Sequence, residues 1–325
     1  MTVTTAPVRV LATDDAEQLR NAAEKLLAEY ASATNPNLFG ALDTAASWLD
    51  DSIAETFRPD FTTAGLFVVR GLDIDDSALP PTPLHWSKAG DAGALWDIML
   101  LLITQLIGRP IAWAGQQDGR AVNNILPAPG HENEQTGASS TVLLSPHTED
   151  AFHPQRADLL LLFCMRNHDR VATTASSVRH LSLSDEDLDQ LQRPVVPILP
   201  DDAYTSSEYA GEPPAVRTLW GPPDQLTLRF DPAYTPLDTA DEQYREAYRR
   251  LEAGLSEVSA SVVLEPGDVL VLDNDVAVHG RVPFKARYDG TDRWLKRSLA
   301  RVPGRKGRHS SEQQEHGYGQ AVLAW

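Results

Sequence analysis

Short β-prone runs separated by turn-rich connections fill the chain from residue 111 onward. These runs lie at residues 141–144, 158–163, 225–230, 261–264, 269–272 and 294–302. Many short strands in succession, with turn residues between them, are typical of antiparallel barrels and jelly rolls. The sequence therefore predicts a mainly β fold of this kind, with helices on its flanks.

The first 110 residues have mostly helical patterns. Asp14 and Asp15 precede apolar residues at helical spacing, which predicts an amphipathic first helix. A second helix is predicted around 41–55, and a strongly apolar helix over 94–107 that ends before a glycine and a proline. Between them, residues 64–71 have the pattern of a short buried strand.

The chain of 325 residues has no internal repeat and no clear linker, so a single domain spanning 1–325 is predicted. Residues 1–110 are expected to form an N-terminal helical layer with the first strand. Residues 111–302 are expected to form the β core, with a helical insert at 238–255 that packs on it. Residues 303–325, rich in Gly, Arg, Ser, Glu and Gln, are expected to form a peripheral tail.

Composition limits which binding partners and which cellular compartment are expected. A net charge of −18 and a pI near 4.8 would repel a phosphate backbone, so no nucleic-acid partner is expected. The longest apolar stretch, 94–107, is too short to cross a bilayer, and no apolar leader is evident. The single cysteine, Cys164, lies in an apolar run and fits a core thiol in a reducing compartment, so a cytoplasmic protein is expected. The oligomeric state is not predicted.

A His-x-Glu pair and a distant histidine suggest a metal site. His147 and Glu149 follow a predicted strand, and residues two apart on an extended backbone face the same side. His279 ends another predicted strand much later in the chain. Two imidazoles and one carboxylate are the ligand set of non-haem Fe(II) oxygenases, which keep other coordination positions open. Taken alone, the pair also fits a solvated turn, and His279 also fits a core residue.

Two arginines after His279 strengthen the metal hypothesis. Arg293, Leu295 and Arg297 share one face of a predicted strand, so both guanidinium groups can point into a barrel. Burying an unpaired charge is costly, so two anionic groups are expected beside them. An exposed strand remains the alternative when the arginines are considered without the metal ligands.

Three segments resemble a known family. Residues 145–158, 171–176 and 279–297 resemble Fe(II)/2-oxoglutarate dioxygenases of the clavaminate synthase-like group, especially hydroxylases of free amino acids such as arginine and asparagine. The similarity covers 64–303. It implies a double-stranded β-helix (jelly-roll) core, Fe(II) as the metal, and 2-oxoglutarate and O2 as co-substrates.

The resemblance assigns roles to residues around the metal. It implies that His147, Glu149 and His279 bind Fe(II). It also implies that Arg293 holds the distal carboxylate of 2-oxoglutarate, with help from the hydroxyl of Thr174.

The resemblance also assigns a substrate pocket. It implies that Arg297 binds the α-carboxylate of an amino acid and that Gln116 contacts its α-amino group; a structural amide is the alternative for Gln116. Asp231 stands where arginine hydroxylases carry acids, but an alanine replaces their second acid two residues on. Asp201 and Asp202 are candidates for the missing charge. All three aspartates also fit ordinary turn positions.

The activity implied by the resemblance is hydroxylation of a free L-amino acid, at C3 or C4 of arginine or a similar cationic or polar amino acid. Succinate and CO2 would be co-products, and relatives of this type serve natural-product biosynthesis. Desaturation, cyclisation and other substrates (lysine, citrulline, asparagine) stay open. A non-catalytic jelly-roll metal-binding protein is the alternative from another class. A substrate tethered to a carrier is disfavoured because Arg297 would lack an anion.

Overall fold

The computed structural model describes residues 6–61, 64–204, 212–305 and 308–325. Its α-helices are α1 (Thr13–Tyr30), α2 (Pro36–Ala46), α3 (Asp51–Phe57), α4 (Ala94–Ile107), α5 (Asp185–Leu191) and α6 (Glu242–Glu257). Its strands are β1 (Val8–Val10), β2 (Leu66–Arg70), β3 (Arg109–Trp113), β4 (Val122–Ile125), β5 (Leu144–His147), β6 (Leu159–Arg166), β7 (Thr173–Ser177), β8 (Leu219–Trp220), β9 (Thr227–Leu228), β10 (Ala260–Val262), β11 (Val269–Asp273), β12 (Ala277–Arg281), β13 (Trp294–Arg301) and β14 (Val322–Ala324).

Most strands belong to two sheets. One has the order β1-β2-β11-β6-β13-β3-β14, with β4 also paired to β13, and the other has the order β10-β7-β12-β5. Apart from the parallel pair β1 and β2, the described pairs are antiparallel. Side chains of both sheets form one hydrophobic cluster, so the sheets pack against each other. This arrangement agrees with the predicted mainly β, jelly-roll core.

Strand β6 shows why its sequence is continuously apolar. Leu159, Leu161 and Phe163 pack in a cluster with the N-terminal helices, whereas Leu160 and Leu162 pack between the two sheets. Successive side chains of a strand point to opposite faces, and here both faces are buried. The fold therefore has three layers: helices, the large sheet and the small sheet.

Helix α4 has the bounds that its sequence predicts and forms the centre of the helical layer. Almost all of its side chains are buried. Its one buried acid, Asp97, pairs with Lys296 of β13 at 2.6 Å, and both side chains are buried. Because Lys296 faces the helices, its neighbour Arg297 faces the opposite side of the sheet, toward the small sheet.

The helices differ from the predictions in two places. The helix predicted at 41–55 is wrong in its bounds, because the structure has α2 and α3 with a break between them. Asn35 caps α2 by accepting from the N–H of Asn37 at 3.0 Å, and Asp50 occupies the N-cap position just before α3. The insert predicted at 238–255 is helix α6, which starts later because the Asp241 side chain accepts from the N–H of Tyr244 at 2.9 Å.

Several strands also differ. The strand predicted at 141–144 is displaced, since β5 begins at the last of these residues, and only two residues of the run 225–230 form a strand. Five further strands were not predicted, because their sequences are short or polar: β1, β3, β4, β7 and β14.

The C-terminal residues are tied to the core more closely than a peripheral tail implies. Strand β14 pairs with β3 at the edge of the large sheet, and Glu312 and Tyr318 are buried. Among the residues that the structure describes, no helix is both long and apolar enough to cross a membrane.

Candidate active site

Two histidines from neighbouring strands meet in the small sheet. The antiparallel register of β5 and β12 places His147 directly opposite His279, with ring centroids 4.4 Å apart. Glu149 follows β5 by two residues, and one ligand atom from each of the three residues lies within 4.8 Å of the others. The structure therefore brings together the three predicted metal ligands, and the described part of the chain contains no second group of this kind.

The histidines are oriented for coordination. Nδ1 of His147 donates to the carbonyl of Ser145 at 2.8 Å, which leaves Nε2 to bind an ion. Burial and the neighbouring His279 lower the pKa of His147, so the ring stays neutral as a ligand must. Nε2 of His279 lies 3.3 Å from Oε2 of Glu149.

The carboxylate of Glu149 is held in its ionised form. Burial raises its pKa, but the charge of Arg297 and the hydrogen bond to His279 outweigh burial and lower the pKa to about 2. The backbone of Glu149 is fixed by Asn274, whose Oδ1 accepts from the N–H at 2.8 Å and whose Nδ2 donates to the carbonyl at 3.0 Å. Asn274 was not among the predicted site residues. The polar run between β11 and β12 indicates only a turn.

Arg293 precedes β13 and lines the same cavity as the three ligands. Its Nη2 donates to Oγ1 of Thr173 at 2.8 Å, whereas its Nε has no hydrogen-bond partner. Burial lowers its pKa to about 10. Within the described ranges, no carboxylate lies within ion-pair distance of it, and an unpaired buried cation is costly. The arrangement fits an anionic ligand beside the metal.

The hydroxyl that contacts Arg293 in the structure belongs to Thr173, the neighbour of the predicted Thr174. On β7, Thr173 pairs with Arg281 and Thr174 with Gly280. Neighbouring residues of a strand face opposite sides, so only one of the two threonines can face the metal cavity. Thr173 lines that cavity.

Arg297 contacts both the metal ligand and the predicted amide. It donates hydrogen bonds to Oε1 of Glu149 and to Oε1 of Gln116. A third bond, to Oδ1 of Asn123 on β4, is 2.7 Å long. Gln116 is thus at the site, although its carbonyl oxygen faces Arg297 in this structure. Asn123 was not anticipated, because its role depends on the pairing of β4 with β13.

Asp231 and Asp201 line a small cavity that also contains His147. Oδ1 of each also accepts a backbone N–H two residues later, as turn residues do. Burial raises the pKa of Asp231 to about 6, against the opposing effect of His147. Burial and the charge of Asp150 raise the pKa of Asp201 to about 7. Both predicted acids therefore lie beside the metal ligands.

Asp202 is placed differently from Asp201. It is exposed, accepts a hydrogen bond from the Tyr234 hydroxyl at 2.9 Å, and lines an adjoining cavity of about 320 Å³ that also contains Gln116 and Arg297. Asp202 therefore lies at the outer side of the pocket.

A buried contact joins the turn that bears Asp201 to the metal site. The Tyr204 hydroxyl donates to Oδ1 of Asp150, and Nε1 of Trp113 donates to Oδ2 at 2.7 Å. Asp150 directly follows Glu149 and has a positive φ of 52°. Asp150 lies within the family-like segment 145–158 but was not among the predicted site residues, and it connects both sides of the pocket.

The donor set suits iron. Two imidazoles and a carboxylate on one side leave the rest of the coordination sphere open, as in non-haem iron oxygenases. Buried guanidinium nitrogens without partners, Nε of Arg293 and of Arg297, lie in the same cavity and fit anionic reactants.

Fold and site together define a non-haem iron oxygenase. The model of the taurine catabolism dioxygenase TauD, TfdA family matches residues 31–299. The chain belongs to this family, which confirms the resemblance seen in the sequence.

Similar proteins act on amino acids. The enduracididine beta-hydroxylase of Streptomyces hygroscopicus is 40% identical over 259 residues, which are 72% of this chain and 76% of that protein. The L-ornithine/L-arginine 3-hydroxylase of Catenulispora acidiphila is 36% identical over 259 residues, with the same coverage. The crystal structure of the non-heme iron oxygenase OrfP with Fe and alpha-ketoglutaric acid has a TM-score of 0.81 and 39% identity, covering 92% of this chain and 94% of that one.

Proposed function

We propose that this enzyme uses Fe(II), 2-oxoglutarate and O2 to hydroxylate a free cationic L-amino acid, arginine or a close relative of it, at C3 or C4. The observation that carries the proposal is the distribution of charge around the metal ligands. Arg297 lies beside Glu149, and Asp231 and Asp201 lie beside His147. An amino acid with a carboxylate at one end and a cation at the other matches this distribution. The relatives named above support the same substrate class.

One group of residues would bind the iron and the co-substrate. His147, Glu149 and His279 would hold the iron, and Arg293 with Thr173 would bind the distal carboxylate of 2-oxoglutarate. Bound iron and 2-oxoglutarate supply the oxidising chemistry, which places one oxygen atom of O2 on the substrate and yields succinate and CO2.

The remaining residues would position the substrate. Arg297 would hold the α-carboxylate and Gln116 the α-amino group, while Asp231 and Asp201 would bind the guanidinium. Asp202, at the outer side of the pocket, would attract the positively charged substrate as it enters. Because oxidation would occur at whichever carbon lies nearest the metal, the distance between the two ends decides the site of hydroxylation.

The test is an assay of the Fe(II)-reconstituted protein with 2-oxoglutarate, O2 and each free amino acid in turn. Arginine should raise succinate formation well above the background without substrate and should yield a product heavier by one oxygen atom. If no amino acid does so, the proposed function is wrong and a non-catalytic metal-binding protein becomes the better hypothesis.

We also propose that the enzyme works in a reducing compartment, the cytoplasm. Its only cysteine, Cys164, is free and buried, so the fold needs no disulfide. Fractionation of the native cells should recover the activity in the cytoplasmic fraction; recovery outside the cytoplasm would contradict this location.

A further inference from the structure

A third arginine lines the metal cavity and has no role in the proposed function. Arg281 lies on β12 two residues after His279, so both side chains point to the same face of the strand. It is 3% exposed and lines the cavity together with Arg293 and Thr173. Thr173 lies opposite Arg281 in the sheet and accepts a hydrogen bond from Arg293. Arg281 therefore pairs in the sheet with the residue whose hydroxyl Arg293 contacts.

The hydrogen-bond partners of Arg281 are all uncharged. It donates to the carbonyl and hydroxyl of Ser139, to the carbonyl of Val142 at 3.0 Å and to that of Val282 at 3.2 Å. Within the ranges that the structure describes, no carboxylate lies within ion-pair distance of Arg281. Arg297 in the same cavity differs, because it is paired with Glu149.

Two explanations fit these contacts. Arg281 could serve only as a structural clamp that holds residues 139–142 against β12. A neutral side chain could make such contacts at a lower desolvation cost, and a buried cation close to another cation is electrostatically unfavourable. The positive charges of Arg281 and Arg293 are stabilised if a ligand with two negative charges occupies the cavity.

We propose that Arg281 and Arg293 form a two-cation site that makes the co-substrate pocket selective for a dianionic 2-oxo acid. Arg293 would contact the distal carboxylate directly. Arg281, whose N–H groups are largely engaged by the 139–142 segment, would act mainly through its charge. The inference rests on the proposed use of 2-oxoglutarate and adds a residue to that site.

The test measures ligand binding without turnover. Isothermal titration calorimetry of the Mn(II)-loaded protein gives the Kd of 2-oxoglutarate, with two negative charges, and of 2-oxobutyrate, with one. Arg281→Gln removes the charge and keeps a hydrogen-bonding amide, whereas Arg281→Lys keeps the charge. Arg166→Gln is the matched control, because Arg166 is also a buried arginine but contacts Asp76, Thr82 and backbone carbonyls outside the cavity.

We expect Arg281→Gln to weaken 2-oxoglutarate binding by about tenfold, an electrostatic effect of ~1.4 kcal/mol, and to change 2-oxobutyrate binding much less. Arg281→Lys keeps the charge, so it should weaken 2-oxoglutarate binding less than Arg281→Gln does, and Arg166→Gln should leave both constants unchanged.

Equal losses for both ligands in the Gln and Lys variants would overturn the inference and show that Arg281 is only a structural clamp. Unchanged binding in Arg281→Gln would overturn it as well. If the wild-type protein itself fails to bind 2-oxoglutarate, the proposed function fails instead, and the two failures are thus distinguishable.

Discussion

The side-chain amide of Asn274 bonds to both the N–H and the carbonyl of Glu149, at 2.8 and 3.0 Å. These two residues are 125 positions apart in the chain. The turn between β11 and β12 thereby fixes the backbone that carries the carboxylate ligand. Groups that orient a ligand without touching the metal contribute strongly to metal affinity.

Replacing Asn274 by alanine should weaken Fe(II) binding by about tenfold or more, since losing a group that hydrogen-bonds to a metal ligand has an effect of that size. The backbone groups of Glu149 would lose their partners, so the protein should also lose about 1–3 kcal/mol of stability. Equilibrium metal titration and thermal unfolding measure the two effects.

Asn167→Ala is the matched control. Asn167 is also buried and makes three hydrogen bonds, to Val171 and Leu264 and to none of the candidate metal ligands. It should lower stability to a similar degree without altering metal affinity. Equal metal affinity in the two variants would contradict a special role for Asn274.

The two threonines at the start of β7 should behave differently. Thr173→Val removes the hydroxyl that accepts from Arg293, so the KM for 2-oxoglutarate should rise about tenfold or more, as expected for one lost hydrogen bond to a charged group. Thr174→Val should leave this KM unchanged, because Thr174 is on the other face of the strand. The reverse result in steady-state kinetics would restore the role that the family resemblance assigned to Thr174.

The acids beside His147 should make the enzyme prefer a positively charged substrate to a neutral one. Asp231→Asn is expected to lower kcat/KM for arginine by 10- to 100-fold, roughly 1.4–2.7 kcal/mol, because a charge-assisted hydrogen bond becomes a neutral one. The value for citrulline, the uncharged analogue of arginine, should change little. Equal losses of kcat/KM for arginine and citrulline would show that Asp231 only stabilises its backbone turn.

Asp201→Asn and Asp202→Asn rank the two neighbouring acids. Asp201 lines the cavity with His147, so its variant should follow Asp231→Asn in direction. Asp202 is exposed, and its variant should change the arginine KM by less than about threefold, since exposed charges are screened. A larger effect at Asp202 than at Asp201 would contradict the placement of the pocket.

The C-terminal segment should be stabilised by a pH-dependent ion pair. Glu312 pairs with the fully buried Arg156 at 2.7 Å. Although burial raises the pKa of Glu312, Arg156 and Arg229 hold it below its ordinary value of 4.5. Because the folded-state pKa is the lower one, this stabilisation is present above pH 4.5 and is lost as the pH falls through the folded-state pKa.

Glu312→Gln should therefore destabilise the protein by about 1–3 kcal/mol at pH 7, and its difference in Tm from the wild type should shrink below pH 4.5. Calorimetry between pH 3.5 and 7, as rough limits of the linkage window, measures this trend. Glu265→Gln is the control, because Glu265 pairs with Arg170 at the exposed surface and should have little effect. A constant difference in Tm would argue against the ion pair.

Much of the fold is readable from local pattern. The bounds of α4 follow from its apolar residues and the glycine after them, and the apolar run of β6 follows from burial on both faces. The break between α2 and α3 is harder to see, because only residues 47–50 separate the helices, with Ser47 at the end of α2 and Asp50 just before α3.

The sequence by itself predicted the three candidate metal ligands that the structure brings together, because the His-x-Glu spacing places His147 and Glu149 on one side and the family blocks supply His279. Only the tertiary structure decided that Thr173 rather than Thr174 meets Arg293, and that Asn274 holds Glu149. The first choice depends on the register of β7 with β12, and the second on contact between turns far apart in the chain. Such pairings arise from packing of the whole fold, so no local pattern specifies them.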